Sequence, residues 1–126
     1  MTRGIHFGNA ARDGASRRGW LVGHFLDERA GPRSTPDVAI KWGIHRAGEK
    51  RDTWALNSRA TTLSVLVEGR FRLTFPAESH LLARPGDYVI WAPGVPHHWE
   101  ALAPSIVLTV RWPSRADDSV DLPDPR

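Results

Sequence analysis

The sequence predicts an all-β domain of antiparallel strands, arranged as a sandwich or a barrel. Two observations lead to this prediction. Apolar and polar residues alternate over short runs separated by glycine and proline, and no run shows the apolar period of a helix. With 11 glycines and 10 prolines in 126 residues, turns are frequent enough to divide the chain into many short strands. The length suits one domain with its own core.

The first two strands are expected in GWLVGHFL and VAIKWGIHRA, with a proline-containing loop between them. In the second run the apolar residues Ile40, Trp42 and Ile44 alternate with polar or small ones. Strict alternation is typical of a strand with one buried face, so we expect the apolar set to face the core. Lys41 and His45 would then face the solvent.

The middle of the chain carries the clearest strand pattern. In TTLSVLVEG, residues Leu63, Val65 and Val67 share one face, and the other face is more polar. A Glu-Gly turn leads from this run into RFRLTF, which predicts that the two runs form a β-hairpin. Four further runs with turn residues between them complete the ordered part: HLLARPGD, YVIWA, PGVPHHWEA and SIVLTVRW.

The pattern divides the chain into a barrel over residues 19–113 and two flanking segments. Residues 1–18 are rich in Gly, Arg, Ala and Ser and are expected to form a flexible arm. Residues 114–126 are acidic, contain proline and are expected to form a loose tail. No apolar run approaches the ~20 residues of a membrane helix, and no secretion signal is recognisable. We therefore expect a cytoplasmic protein that does not bind membranes.

The composition excludes several kinds of function. There is no cysteine, so disulfides, thiolate metal sites and thiol catalysis are ruled out. The formal net charge is +3 and is not concentrated in a stripe or recognition motif, so no nucleic-acid partner is expected. Phosphate-binding loops, Ser-His-Asp signatures and paired-carboxylate motifs are also missing from the sequence. A small molecule is the expected partner.

The stretch RPGDYVIWAPGVPHHW resembles the second conserved motif of the cupin superfamily. That motif reads glycine, five residues, Pro-x-Gly, two residues, histidine, three residues and asparagine. Gly86, Gly94 and His97 match it, whereas Ala92 replaces the proline and Ala101 the asparagine. The resemblance covers about residues 38–112 and implies a double-stranded β-helix, the jelly-roll or cupin barrel, commonly in a dimer. With Leu63 and its apolar neighbours facing away from the barrel interior, we expect a homodimer.

The first cupin motif departs from the pattern of the family. Its two histidines and its glutamate, which are metal ligands in most cupins, correspond here to Trp54, Leu56 and Thr62. Only His97 remains of the four usual ligands. One histidine does not hold a divalent first-row ion well, because such ions usually take at least three nitrogen or oxygen ligands. We therefore expect no metal cofactor. A divalent metal at His97, completed by His45 or His6, is the alternative.

The cupin register implies which side chains line the barrel. His97 would face the interior, where its imidazole could hydrogen-bond a ligand or transfer a proton, so His97 is also the candidate catalytic residue. His98 would point the opposite way, and parity leaves the face of Trp91 open. Tryptophan rings could stack on a planar or sugar-like ligand. The predicted ligand-binding residues are Trp54, Thr62, Ser64, His97 and Trp99.

Two functions follow from this set of residues. The favoured one is binding of a small organic molecule in the barrel without the usual metal centre, as a sensor or a carrier would do. The alternative is an isomerase, cyclase or lyase that acts on a small metabolite with His97 as acid or base, or with His97 in an atypical metal site. Fold alone does not separate them, since one fold hosts many functions.

Overall fold

The computed structural model describes residues 4–51 and 53–123, which form an all-β fold with little helix. A one-turn helix α1 (Ala10–Asp13) precedes the first strand, and short 3₁₀ turns occupy Ala15–Arg17 and Glu28–Arg33. The strands are β1 (Trp20–Val22), β2 (Ala39–His45), β3 (Trp54–Asn57), β4 (Thr61–Glu68), β5 (Phe71–Thr74), β6 (Ser79–Leu82), β7 (Tyr88–Trp91), β8 (His98–Ala101), β9 (Ser105–Trp112) and β10 (Ser119–Leu122). The all-β prediction is therefore confirmed.

The strands form three antiparallel sheets that make two walls. One wall is the five-stranded sheet in the order β1-β2-β9-β4-β7. The other contains the sheet β6-β5-β8, which a bridge between Ala55 and His97 connects to the β10-β3 pair. The core joins the two walls at one end, through Leu66, Phe71, Leu73, Phe75, Leu82, Trp91, Ala101 and Val107. This arrangement is that of a jelly roll, in which consecutive strands often lie in different sheets.

The expected hairpin of the fourth and fifth strands is wrong. β4 pairs with β7 and β9, whereas β5 pairs with β6 and β8, so the Glu-Gly turn carries the chain from one wall to the other. Gly69 has a φ of +106° at this turn, and a Cβ there would overlap the side chain of Ser105. The turn residues are those of a hairpin, but the glycine is required here because the turn packs against the connection between β8 and β9 at Pro104 and Ser105.

The assignment of faces in β2 is also wrong. Ala39, Gly43 and His45 are buried, with His45 9% exposed, whereas Ile44 is 60% exposed. The alternation is that of a strand, as predicted, but the polar and small residues face the barrel interior. Alternation shows which residues share a face, and a hollow barrel can have a polar inner face and an apolar outer one.

In β4 the predicted faces are those observed. Thr62 and Ser64 are 1% and 3% exposed and lie on the inner face, and Leu63 and Val65 lie on the outer face. The outer surface of the five-stranded sheet is apolar across four strands, as the cross-strand rows show: Ile90, Leu63, Val110 and Ile40 in one, Tyr88, Val65, Leu108 and Trp42 in the next. Tyr88 and Ile90 are 64% and 50% exposed there.

Both flanking segments contain regular structure. Residues 119–122, assigned by sequence to the loose tail, form β10 and pair with β3 over four residues. The arm contains α1, and its Gly14 carbonyl accepts a hydrogen bond from the Gly19 N–H at 2.8 Å. The strands therefore extend beyond residue 113, because partners distant in sequence supply the pairing. Residues 1–3 and 124–126, which belong to the predicted arm and tail, lie outside the described residues.

No helix in the described part of the chain is long and apolar enough to cross a membrane.

Candidate functional site

A cavity of about 920 Å³ lies between the two walls, beside the apolar end of the barrel. Both walls contribute to its lining. One side comes from β1, β2, β4, β7 and β9, and the other from β5, β8, β10 and the segment that leads into β8. The lining residues that bear on function are Lys41, His45, Thr62, Ser64, Trp91, His97, Trp99 and Arg111. A space of this size accommodates a metabolite-sized molecule.

His97 is held in one orientation at the wall of this cavity. Its Nδ1 lies 3.1 Å from the carbonyl oxygen of Val95, and its ring packs against Trp91 with 4.8 Å between centroids. A carbonyl can only accept, so Nδ1 carries the hydrogen and Nε2 is left to accept a hydrogen bond from a molecule in the cavity. Burial is the main reason why the pKa of His97 falls to about 4, and the charge of Arg111 lowers it further. At neutral pH His97 is an uncharged acceptor.

An aromatic cluster forms another part of the lining. Trp99 stacks on Phe71, with 5.2 Å between ring centroids, and lies 4.6 Å from the ring of His45. The Nδ1–H of His45 donates to the Glu49 carboxylate at 2.9 Å. Burial nevertheless lowers the pKa of His45, and the hydrogen bond from His45 lowers that of Glu49. This cluster offers a flat apolar face to a ligand.

Three neighbouring side chains of the inner wall have buried polar atoms without a partner. Thr62 lies in register with Trp91 on one side and with Arg111 on the other. Directly opposed residues of antiparallel strands point to the same face, so the three form one row. Thr62 Oγ1, Trp91 Nε1 and Arg111 Nε are each buried without a hydrogen-bond partner. Unpaired buried polar groups are costly, so the row is a place where a bound molecule or an ordered water would complete the hydrogen bonds.

The next row on the same wall continues the polar lining. Ser64 and Thr109 are in register, and their hydroxyls lie 3.0 Å apart. Lys41 is in register with Thr109 from the other side. The hydroxyls of this row satisfy each other, in contrast to the Thr62 hydroxyl.

Two cations on this wall lie over the indole ring of Trp20. The Arg111 guanidinium is 4.6 Å and the Lys41 ammonium 5.7 Å from the centroid of that ring. Among the described residues no carboxylate forms an ion pair with either, whereas Arg51 pairs with Asp121 at 2.8 Å. Burial lowers the pKa of Lys41 to about 8 and that of Arg111 to about 10. The charges of Glu49 and Asp118 oppose these two shifts in part, but neither carboxylate forms an ion pair with Lys41 or Arg111, so this wall carries an excess of positive charge.

A smaller cavity of about 600 Å³ adjoins the first one. Trp20 and Arg111 border both cavities, whereas Thr62 and Trp91 line only the larger one. Arg115 lines only the smaller one. These differences make it possible to assign a ligand to one cavity by substitution.

Four of the five predicted ligand-binding residues line the larger cavity. These are Thr62, Ser64, His97 and Trp99. Trp54 is not among the lining residues. It is 6% exposed and its ring lies edge-on to His98, 4.4 Å away, on the other side of β3 from the cavity. The placement of His98 agrees with the alternation argument, and a ligand-binding role for the four lining residues stays a prediction.

The sequence interpretation expected Lys41 and His45 to face the solvent, left the face of Trp91 open and assigned no role to Arg111, and all four line the cavity. In SIVLTVRW, Ser105, Thr109 and Arg111 share one parity with Val107. These alternating polar residues could have identified the inner face, since β9 lies at the centre of the sheet and its polar residues face inward. Using this pattern requires the assumption that the polar face of the strand, and not the apolar face, points into the barrel.

The donor set does not fit the divalent metal that the cupin resemblance implies. No three His, Asp or Glu side chains cluster as a metal site within residues 4–51 and 53–123. In the cavity, the Nδ1 atoms of His45 and His97 donate to Glu49 and Val95, which leaves one Nε2 from each ring and too few nitrogen ligands for such an ion. The charges of Lys41 and Arg111 would repel a cation. His6, the other suggested ligand, pairs with Asp13 at 3.0 Å and is not part of the cavity lining.

Comparison with known proteins finds matches among solved structures. No protein-family model and no curated protein sequence matches the chain. KdgF from Halomonas sp. is 27% identical, with a TM-score of 0.60 over 66% of this chain and 74% of that chain. A cupin superfamily protein from Desulfitobacterium hafniense is 18% identical, with a TM-score of 0.57 over 63% of this chain and 70% of its own. A Streptomyces PAC13 variant with uridine is 14% identical, with a TM-score of 0.60 over 71% of each chain.

Proposed function

Because this chain is a cupin-fold protein with a metabolite-sized cavity in its barrel, we propose that it binds a small, partly planar organic molecule there. The observation that carries the proposal is the row of unpaired buried polar atoms on Trp91, Thr62 and Arg111, which lies beside an aromatic face. A site that combines apolar walls with a few convergent polar groups is typical of ligand pockets. The proposed binding needs no metal ion, because side chains of this protein supply all of its contacts.

The state of His97 favours binding over acid–base catalysis. A general base works best when its pKa lies near the operating pH, whereas the pKa of His97 is lowered to about 4. A neutral imidazole with a fixed tautomer suits a hydrogen bond from a ligand hydroxyl or N–H group to Nε2. His97 therefore acts in this proposal as an orienting acceptor, and the enzymatic alternative has less support.

Trp99→Ala is expected to weaken ligand binding more than tenfold, about 1.4 kcal/mol or more, because the ring supplies much of the flat apolar face. The measurement is titration of chelator-treated protein with uridine, benzoate and benzamide, followed by ligand-observed NMR and calorimetry. Uridine is included because a protein of the same fold was solved with it. Leu81→Ala, on β6 and 37% exposed, is the control variant, because Leu81 lies outside the cavity and outside the five-stranded sheet.

The proposal fails if no probe binds saturably to the wild-type protein, or if Trp99→Ala binds as tightly as wild type while thermal melting shows it to be folded. Trp99→Leu keeps part of the apolar volume and guards against loss of the fold. Binding that appears only after addition of Mn, Fe, Ni or Zn would instead support the metal alternative.

We also propose that a second copy of the chain covers the apolar outer face of the five-stranded sheet. A flat apolar patch without charges at its centre is complementary to itself across a two-fold axis. Light scattering at micromolar concentration is expected to give the mass of a dimer, and Leu63→Lys is expected to give the mass of a monomer. A monomer mass for the wild-type protein would contradict this proposal.

A further inference from the structure

We propose that the cavity binds an organic anion with a carboxylate group, anchored by Arg111 together with Thr62 and Trp91. This inference rests on the proposed function and narrows it to one class of ligand. It follows from the position of three donors in one row, from the excess of positive charge on one wall and from the shape of the space in front of them.

The three donors stand side by side on one wall because of the register of the five-stranded sheet. Trp91, Thr62 and Arg111 are directly opposed across β7, β4 and β9. Opposed side chains on one face are separated by about 5 Å between Cβ atoms, so the three side chains leave the wall at neighbouring points. All three present hydrogens, and all three lack a partner in the protein. A group that accepts several hydrogen bonds at once satisfies the whole row.

The charge of the wall selects an anion rather than a neutral acceptor. Arg111 and Lys41 both lie over the ring of Trp20, and in the described part of the chain no carboxylate forms an ion pair with either of them. Burial is the main cause that lowers the pKa of Lys41, and the charge of Arg111 lowers it further. Holding two like charges in a partly buried place is unfavourable unless an anion compensates them.

A carboxylate matches this place better than other anions. Its two oxygens accept up to about four hydrogen bonds in one plane, which matches the fork of an arginine and leaves room for a second donor on each side. Trp91 and Thr62 are 8% and 1% exposed, so the anion would be withdrawn from water and its hydrogen bonds would be strong. The remainder of such a molecule would lie towards Trp99, with a hydroxyl or N–H group near Nε2 of His97.

Benzoate and benzamide form a matched pair for the test, because they share ring and shape and differ in charge. Wild-type protein is expected to bind benzoate at least about tenfold more tightly than benzamide. Arg111→Gln is expected to remove that difference by weakening benzoate alone, and Arg111→Lys to retain part of it. Trp91→Phe and Thr62→Val each remove one donor at nearly constant shape and are expected to weaken benzoate about three- to tenfold. Arg115→Gln, in the smaller cavity only, is the control and is expected to bind both probes as wild type does.

Each contrary outcome has a distinct meaning. Equal binding of benzoate and benzamide, lost in Trp99→Ala, would overturn the carboxylate and leave the proposed function intact. Benzoate binding that depends on Arg115 and not on Thr62 or Trp91 would overturn the site by placing it in the smaller cavity. Phenyl phosphate that binds more tightly than benzoate would overturn the carboxylate in favour of a phosphate ester. Absence of binding by every probe would remove the proposed function itself.

Discussion

The wild-type protein is expected to lose about 3 kcal/mol of stability between pH 6.5 and pH 4 through the titration of His97. Burial lowers the pKa of this imidazole from 6.5 to about 4 in the folded chain. Between the two values the unfolded chain binds the proton more readily, so stability rises with pH across this window and is lost as the pH falls. Each unit of difference in pKa corresponds to about 1.4 kcal/mol, which gives the stated magnitude.

The measurement is urea unfolding at several pH values from 7.5 to 4, for wild-type protein and for His97→Gln. The amide of glutamine does not titrate, so the free energy of unfolding of the variant should fall by about 3 kcal/mol less over the same window. His45, whose pKa is also lowered by burial, contributes equally to both proteins and cancels in the difference. Parallel pH profiles for the two proteins would mean that His97 is solvated, which contradicts its place in the cavity wall.

Asp118→Ala is expected to lower the free energy of unfolding by about 3 kcal/mol, because it removes a buried carboxylate with several donors around it. Asp118 is 7% exposed and accepts hydrogen bonds from the backbone N–H groups of Arg59 at 2.7 Å and Ala60 at 3.3 Å. The side chain of Asn57 adds a third hydrogen bond at 3.1 Å. These bonds attach the segment before β10 to the turn between β3 and β4.

Denaturation in urea of Asp118→Ala and of a neighbouring control variant measures this effect. Asp117→Asn is the control, since Asp117 is exposed and has a φ of +59°, which asparagine tolerates. The control is expected to unfold within about 0.5 kcal/mol of wild type. If Asp118→Ala were equally mild, the segment after residue 113 would be the loose tail that its composition suggests.

The case of Asp118 illustrates why the limits of the barrel were misjudged from sequence. The acidic, proline-containing end of the chain has the composition of a tail, and local composition is all that a sequence pattern reports there. Its partners, Asn57 and the turn at Arg59, are distant in sequence and become neighbours only after the walls form. The same reason explains β3, whose hydrogen bonds go to β10 and, at Ala55, to His97.

What the sequence determined by itself is the local order: the alternation of each strand, the turns and the motif that places His97, Thr62 and Ser64 on inner faces. These features depend on neighbours two to ten residues away, and the strand period expresses them directly. The tertiary structure was needed to choose the inner face of β2 and β9, where no motif applies, since period two is symmetric between faces and this barrel is polar inside. It also decided that Trp91, Thr62 and Arg111 stand in one row, because register between strands is set by the packing of whole walls.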